Sequence, residues 1–250
     1  MKRLKNKVAL VTGGSRGIGE AIVYALAEEG ANVGINYVRS QNKAEEACEN
    51  VINRYGVKAV AIRADVSKPK EVQAMIKQIL TKFGHIDLLV NNAGIAIQEK
   101  LADTSIEDWN LTIATDLTGT FLCTRAVLPF MLERKEGKII NIASTLGQIG
   151  EAGMVAYSAA KGGVIAFTKA LAREVARDGV LVNCIAPGPI ETEIVKGYSK
   201  DSVNNKKNSI PLGRFGLPRE VASVVVFLAS DDGNIFVGQT LGPNSGETML

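Results

Sequence analysis

Tyr157 and Lys161 stand four residues apart in a stretch with helical periodicity, so they share one helix face. An ammonium beside a phenol favours the ionised oxygen. A phenol tuned toward the operating pH can pass a proton to or from a carbonyl or alcohol oxygen. Ser144, thirteen residues upstream, closes the apolar run 139–144. The C-terminal edge of a strand is where open α/β sheets bind ligands, and a hydroxyl there can orient the same oxygen. The chain has a single histidine, His85, in a turn before the next strand. A Ser-His-Asp triad or a multi-histidine metal site is therefore not expected, and the phenol is the candidate acid. Tyr and Lys at this spacing are common on helices, so the pair gains meaning only in company.

The first company is a glycine loop, Thr12-Gly13-Gly14-Ser15-Arg16-Gly17-Ile18-Gly19, which follows the apolar run 8–11 and opens a helix. Gly13 permits a sharp turn, Gly17 lets backbone N–H groups approach a pyrophosphate, and Gly19 lets the helix pack closely on the strand. The positive end of that helix favours the phosphates. The spacing is TGxxxGxG. NAD binding usually requires an acid at the end of the second strand for the ribose 2′-hydroxyl. Here that end reads Gly34-Ile35-Asn36-Tyr37-Val38-Arg39-Ser40, without a carboxylate. Arg16, Arg39 and Ser40 suit a 2′-phosphate, so the loop, with Ser15, Ile18 and Tyr37, is expected to take NADP(H) in preference to NAD(H).

Positioning these groups requires a layered fold. Short apolar runs at 8–11, 33–35, 59–62, 86–90, 138–142, 180–185 and 237–241 alternate with helical stretches at 18–29, 43–55, 71–83, 118–133, 155–176 and 219–228. In 71–80, Val72, Met75, Ile76, Ile79 and Leu80 fall on one face. The alternation predicts an α/β fold, a parallel sheet covered on both faces, with right-handed crossovers and one domain over residues 1–250. The polar segment 190–218 reads either as a solvated insertion or as a lid over the active site.

Composition narrows the class. With 46% hydrophobic and 22% charged residues, the chain is neither disordered nor fibrous. A net charge of +3, evenly spread, speaks against a nucleic-acid or membrane partner. Cys48, Cys123 and Cys184 are too scattered for a disulfide frame or a zinc site and read as buried hydrophobes in a reducing compartment. The basic start is followed by no signal-like apolar run, and no stretch reaches membrane-span length, so a cytoplasmic location is expected.

Taken in order, Thr12–Gly19, Asn91-Asn92-Ala93-Gly94, Ser144, Tyr157 with Lys161, and Pro187-Gly188-Pro189 resemble the short-chain dehydrogenase/reductase family over essentially the whole chain. Residues 139–144, 161–169 and 171–175 are most similar to its 3-oxoacyl-[acyl-carrier-protein] reductase group. The resemblance implies a Rossmann-type doubly wound domain with seven parallel strands. It implies Tyr157 as general acid in reduction and Ser144 as binder of the carbonyl oxygen. Lys161 would tune Tyr157 and hold the nicotinamide ribose. Asn91, Ala93 and Gly94 would line the cofactor, with Asp65 and Val66 beside the adenine and Pro187, Gly188, Ile190 and Thr192 around the nicotinamide. It further implies a homotetramer built through 118–133 and 155–176.

Two positions depart from the family pattern. Asp116 stands where the family has an active-site Asn whose main chain holds a water serving the lysine. A backbone carbonyl survives the change, so Asp116→Asn is expected to keep or raise activity. The buried carboxylate must find donors or a cation, for which Lys161 is the candidate. Of two basic positions that hold the acidic carrier in that group, one is Pro129 and the other is kept as Arg173, which leaves a CoA thioester, a free ketone or a sugar open as substrate.

The leading expectation is an NADP(H)-dependent oxidoreductase moving hydride between nicotinamide and a ketone or secondary alcohol, with a 3-oxoacyl thioester or similar small carbonyl compound as substrate. The alternatives are an alcohol or sugar dehydrogenase of the same family and, more remotely, a non-catalytic dinucleotide-binding protein. Segments 95–98, 146–154 and 190–208 are expected to face the substrate. The last residues, 247–250, read either as a frayed end or as a tail that closes a pocket.

Overall fold

The computed structural model describes residues 2–192 and 200–249. Seven strands form one all-parallel sheet: β1 (Val8–Val11), β2 (Asn32–Tyr37), β3 (Ala59–Arg63), β4 (Leu88–Asn91), β5 (Gly137–Ile142), β6 (Val180–Ile185) and β7 (Thr240–Leu241). Their order is β3-β2-β1-β4-β5-β6-β7. This is the Rossmann-type arrangement, in which strand order reverses on either side of β1 and opens a crevice at the C-terminal ends of β1 and β4.

The strands are apolar on both faces because both are covered. Ala9, Val11, Val33, Ile35, Val90 and Ile140 pack with α1 (Gly17–Glu28), α2 (Gln41–Tyr55) and α9 (Pro218–Ala229). The intervening Val8, Leu10, Leu89 and Ile139 pack with α3 (Pro69–Phe83), α5 (Gly119–Arg134) and α7 (Val155–Val175) on the other side. Burying a large aliphatic side chain contributes about 1.5–3 kcal/mol, so these two cores fix the sheet whose C-terminal edge carries the site. The expected face of α3 is buried at Val72, Met75, Ile76 and Ile79, and Leu80 packs at its margin.

The sequence reading differs from the structure in three places. Between residues 106 and 118 it has no element, whereas the chain forms α4 (Ile106–Thr112) and a π-helical turn (Ile113–Thr118) leading without a break into α5. The signal was the cap: Ser105 Oγ accepts from Asp108 N at 3.0 Å and donates to Asp108 Oδ2 at 2.8 Å. The last strand is only Thr240–Leu241, because Val237 is exposed and Gly238 has φ +65°. Part of the polar segment 190–218 is helical, as α8 (Lys200–Ser209), preceded after β5 by the one-turn α6 (Leu146–Ile149). Residues 193–199 of that segment, and of the expected substrate-facing stretch 190–208, lie outside the described residues.

Candidate active site

The glycine loop leaves β1 through Gly13, at φ +61°, and enters α1 at Gly17, at φ +58°; both angles favour glycine. A Cβ on Gly19 would lie 2.3 Å from Gly13 O and 2.5 Å from Asn92 Nδ2, so the loop closes against the helix only with hydrogen at that position. Polar side chains of the quoted motifs, for which the sequence suggests no role, hold the turn. Thr12 Oγ1 accepts from Asn92 N at 2.9 Å and Ala93 N at 3.0 Å, while Asn92 Nδ2 donates to Thr12 O at 2.9 Å. Asn36 Oδ1 accepts from Gly13 N at 3.1 Å, and its Nδ2 donates to Ala64 O at 2.8 Å. An Asn at the end of an otherwise apolar strand was the available signal.

These observations fit a dinucleotide. The loop is a backbone cradle that a side chain would fill, and it lies at a helix N-terminus. Arg16 of the loop and Arg39, two residues past β2, are exposed, and Ser40 precedes α2 without its hydroxyl capping the helix. Thr192 Cγ2 would be 3.7 Å from a Cβ on Gly17, which puts Thr192 over the loop. Ser15 and Tyr37 are buried, and Ile18 packs at the core margin. Asp65 Oδ1 is engaged by Ser67 N and Oγ at 2.9 and 2.7 Å, and Val66 packs against Gly119. Ile190 is buried in the core beside α9.

The Asn91 side chain turns inward. Its Nδ2 donates to Asn141 Oδ1 at 2.8 Å and Thr124 Oγ1 at 3.0 Å, and Asn141 Nδ2 donates to Thr168 Oγ1 at 2.9 Å. This buried network ties β4 and β5 to α5 and α7, the helices next to the reactive residues. Only the backbone of Asn91 is left to line the crevice.

Lys161 is buried on α7, and its Nζ lies 5.5 Å from the centroid of the half-buried Tyr157 ring. The two side chains thus face each other, as their spacing predicts. Lys161 Nζ donates to Ile142 O at 3.0 Å, at the end of β5 and two residues before Ser144. It also lies 3.2 Å from Asp116 Oδ2, whose carboxylate the π-helical turn carries into the interior. Ile95 N donates to Asp116 Oδ1 at 2.9 Å. Oδ2 accepts no aligned hydrogen bond from any described residue, so its contact with Lys161 is an ion pair.

Burial pushes the Asp116 carboxyl above the ordinary carboxylate range, against the pull of Lys161 and the Ile95 amide. Burial also acts to lower Lys161, but Asp116 and then Tyr157 outweigh it and hold the ammonium above the ordinary lysine value. Gly94 backs onto the pair, since a Cβ there would meet Asp116 Oδ2 at 2.8 Å and Lys161 Nζ at 3.2 Å.

Ser144 is buried, and its Oγ accepts from Leu146 N at 3.1 Å, which leaves the hydroxyl proton to be donated elsewhere. Thr145 N donates to Pro187 O at 3.0 Å, and Gly188 N to Pro243 O at 3.3 Å, so the turns after β5 and β6 lie side by side. Glu99 N, directly after the expected substrate-facing segment 95–98, donates to Gly153 O of segment 146–154 at 2.8 Å. His85 lies at the other end of the sheet, with Nε2 3.0 Å from Asp87 Oδ2, remote from this constellation. The three cysteines are free and buried.

A glycine cradle at the switch point, a hydroxyl at the end of β5, and a facing phenol and buried ammonium on α7 are parts that suit a nucleotide-dependent oxidoreductase, and the chain belongs to the short chain dehydrogenase family, whose model matches residues 7–203. It is similar to the 3-oxoacyl-[acyl-carrier-protein] reductase FabG of Staphylococcus epidermidis, at 45% identity over 98% of this chain and 100% of that one. It is also similar to the 3-oxoacyl-[acyl-carrier-protein] reductase of Synechocystis sp., at 45% identity over 100% of both chains. The FabG reductase of Vibrio cholerae is 43% identical over 99% of each.

Proposed function

We propose that the protein is an NADP(H)-dependent reductase of 3-oxoacyl thioesters or closely similar ketones. The observation that carries this reading is the facing pair Tyr157 and Lys161, two residues of α7 held to the end of β5 beside Ser144. The glycine loop, the Ala93–Gly94 backbone, Arg16, Arg39, Ser40 and Thr192 would hold the cofactor, which supplies the hydride when bound. Ser144 directs its remaining hydroxyl proton at the substrate oxygen, and Tyr157 donates a proton to that oxygen as the carbonyl becomes an alcohol. Lys161, anchored by Ile142 O and Asp116, keeps a fixed positive charge facing the Tyr157 ring.

The test is Tyr157→Phe. The variant is expected to bind NADPH as the wild type does and to lose turnover of a 3-oxoacyl thioester by at least 10²-fold. Retained turnover would remove Tyr157 as the acid. The names of the relatives support a carrier-linked thioester, whereas Pro129 at an exposed position of α5 removes a basic contact and leaves Arg173, exposed on α7. Comparing carrier and CoA thioesters of one acyl group decides which is the substrate.

Phe121 and Phe130 are exposed on α5, which supports self-association through that helix into a homotetramer. Among the described residues no helix is long and apolar enough to cross a membrane. A cytoplasmic location is the reading consistent with three free, buried cysteines.

A further inference from the structure

The C-terminal segment is tied to the active-site turn by one side chain. Glu247 Oε2 accepts from Thr145 Oγ1 at 2.7 Å, directly after Ser144, and Glu247 Oε1 lies 2.6 Å from Lys206 Nζ of α8. The Glu247 side chain is only 9% exposed, whereas Lys206 reaches it from the surface at 39% exposure. Lys206 Nζ is also 3.8 Å from Glu151, in the segment that follows α6.

The tail backbone is built to aim this carboxylate inward. Ser245 and Gly246 both take left-handed conformations, at φ +57° and +86°. Asn244 Oδ1 accepts from Gly246 N at 2.9 Å, and Asn244 Nδ2 donates to Thr248 O at 2.7 Å. Gly246 lies against Pro211, and Ser245 O accepts from Leu212 N at 3.1 Å, so the tail also grips the loop after α8.

Helix α8 needs such a grip. Its sequence, KDSVNNKKNS, holds one apolar residue, so no hydrophobic stripe docks it on the body. Its neighbouring lysines make the attachment: Lys206 to Glu247 and Glu151, and Lys207 Nζ to Glu191 Oε1 at 3.4 Å.

We propose that Glu247 is a positioning residue for substrate capture. It locks α8 to the Ser144–Thr145 turn through Lys206 and Thr145, and so fixes the wall of the substrate site beside Ser144. The proposal rests on the carbonyl-reductase reading of the site. It assigns Glu247 an effect on substrate KM that proton transfer by Tyr157 does not share.

The experiment compares wild type with Glu247→Gln, Lys206→Met, and the charge exchange Glu247→Lys with Lys206→Glu, the last made together with Glu151→Gln and compared with Glu151→Gln alone, so that the new carboxylate at 206 does not face Glu151 at 3.8 Å. Hydrogen exchange of the α8 amides is read without substrate, and KM and kcat are read with a 3-oxoacyl thioester. Glu247→Gln and Lys206→Met are each expected to speed α8 exchange and to raise KM by about tenfold, about 1.4 kcal/mol, while kcat and the NADPH dissociation constant stay within twofold. The charge exchange is expected to restore both, because the ion pair is re-formed and Thr145 Oγ1 can accept where it formerly donated. Unchanged α8 exchange in Glu247→Gln overturns the lock, whatever the enzyme's substrate. Faster exchange with unchanged KM, or failure of the exchanged pair to recover, overturns the positioning role. A wild type that turns over no ketone defeats the reductase reading, and the exchange measurement then still decides the lock.

Discussion

Lys161 Nζ and Asp116 Oδ2 lie 3.2 Å apart with both side chains almost wholly removed from water. Two opposite charges buried together each carry a desolvation penalty. Removing one partner leaves the other uncompensated, typically at a loss of about 3–5 kcal/mol. The family pattern has Asn at position 116 and would make Asp116→Asn harmless, but the geometry argues the reverse. An amide can turn its oxygen to Ile95 N or to Lys161, and in either case its NH2 faces the remaining donor. Asp116→Asn is expected to destabilise the fold by about 3 kcal/mol and to lower kcat about tenfold, about 1.4 kcal/mol. Thermal unfolding and steady-state turnover check both, and an unaltered variant would show that the carboxylate is dispensable.

The same pair sets an alkaline limit. Lys161 holds its proton more tightly folded than unfolded, so its contribution is complete below the ordinary lysine value of 10.5 and is lost as pH rises through the higher folded value. In Asp116→Asn the main partner that raises Lys161 is gone, so the fall in Tm is expected to begin at lower pH than in wild type. Parallel Tm-against-pH curves would mean that Asp116 does not hold the lysine proton.

Gly19 allows a sharper substitution. Its missing Cβ would sit 2.3 Å from a backbone oxygen of the loop, and a backbone atom cannot swing aside as a flexible side chain can. Overpacking of this kind costs about 1–3 kcal/mol, and here it falls on the cradle. Gly19→Ala is expected to raise the NADPH dissociation constant at least tenfold while the far-ultraviolet circular dichroism stays native. Tight binding by a folded variant would move the nucleotide elsewhere.

The proposed preference for NADP(H) rests on the residues just after β2, which include Arg39 and no carboxylate. The expected ratio of kcat/KM for NADPH over NADH exceeds one. It is expected to fall by at least tenfold in the double variant Arg16→Ala, Arg39→Ala, since charge-assisted bonds to a 2′-phosphate are lost while contacts to the rest of the nucleotide remain. A wild-type preference for NADH would contradict the assignment.

Much of this was legible in the sequence because it is local. A strand buried on both faces is a run of apolar residues, a loop that must approach its own helix needs glycine at fixed positions, and Tyr157 and Lys161 share a face by helical geometry alone. What was not legible depends on distant partners. Asn36, Asn91 and Asn141 are polar residues in apolar strands, and nothing adjacent says that Gly13, Thr124 and Thr168 receive them. Glu247 looks like part of a loose end until Thr145, 102 positions earlier in the chain, is brought beside it. The π-helical turn that sends Asp116 inward leaves no period to recognise, although the Ser105 cap in front of it does.

Glu220 supplies an acid limit at the start of α9. Its Oε2 accepts from Leu217 N at 2.7 Å and from Arg214 Nη1 at 2.9 Å, and its Oε1 accepts from Arg214 Nη2 at 2.7 Å. The Arg214 hydrogen bonds first and the Leu217 amide second hold its carboxyl at about 2, well below the ordinary 4.5. Leu217 immediately precedes α9, so the carboxylate satisfies one of the open amides at that helix start. Helix α9 packs Val221, Val225 and Val226 in the same core as Ile22, Val23 and Leu26 of α1, the helix that carries the glycine loop. A depressed folded value means that the contribution is complete above pH 4.5 and is lost as pH falls through about 2. Wild type should therefore unfold at higher temperature than Glu220→Gln at pH 7, and the gap should close between pH 4.5 and 2. Because Arg214 and Glu220 are partly open to solvent, added salt should narrow the gap at pH 7 as well. A gap that persists unchanged at pH 2 would mean that Glu220 acts through packing and not through its charge.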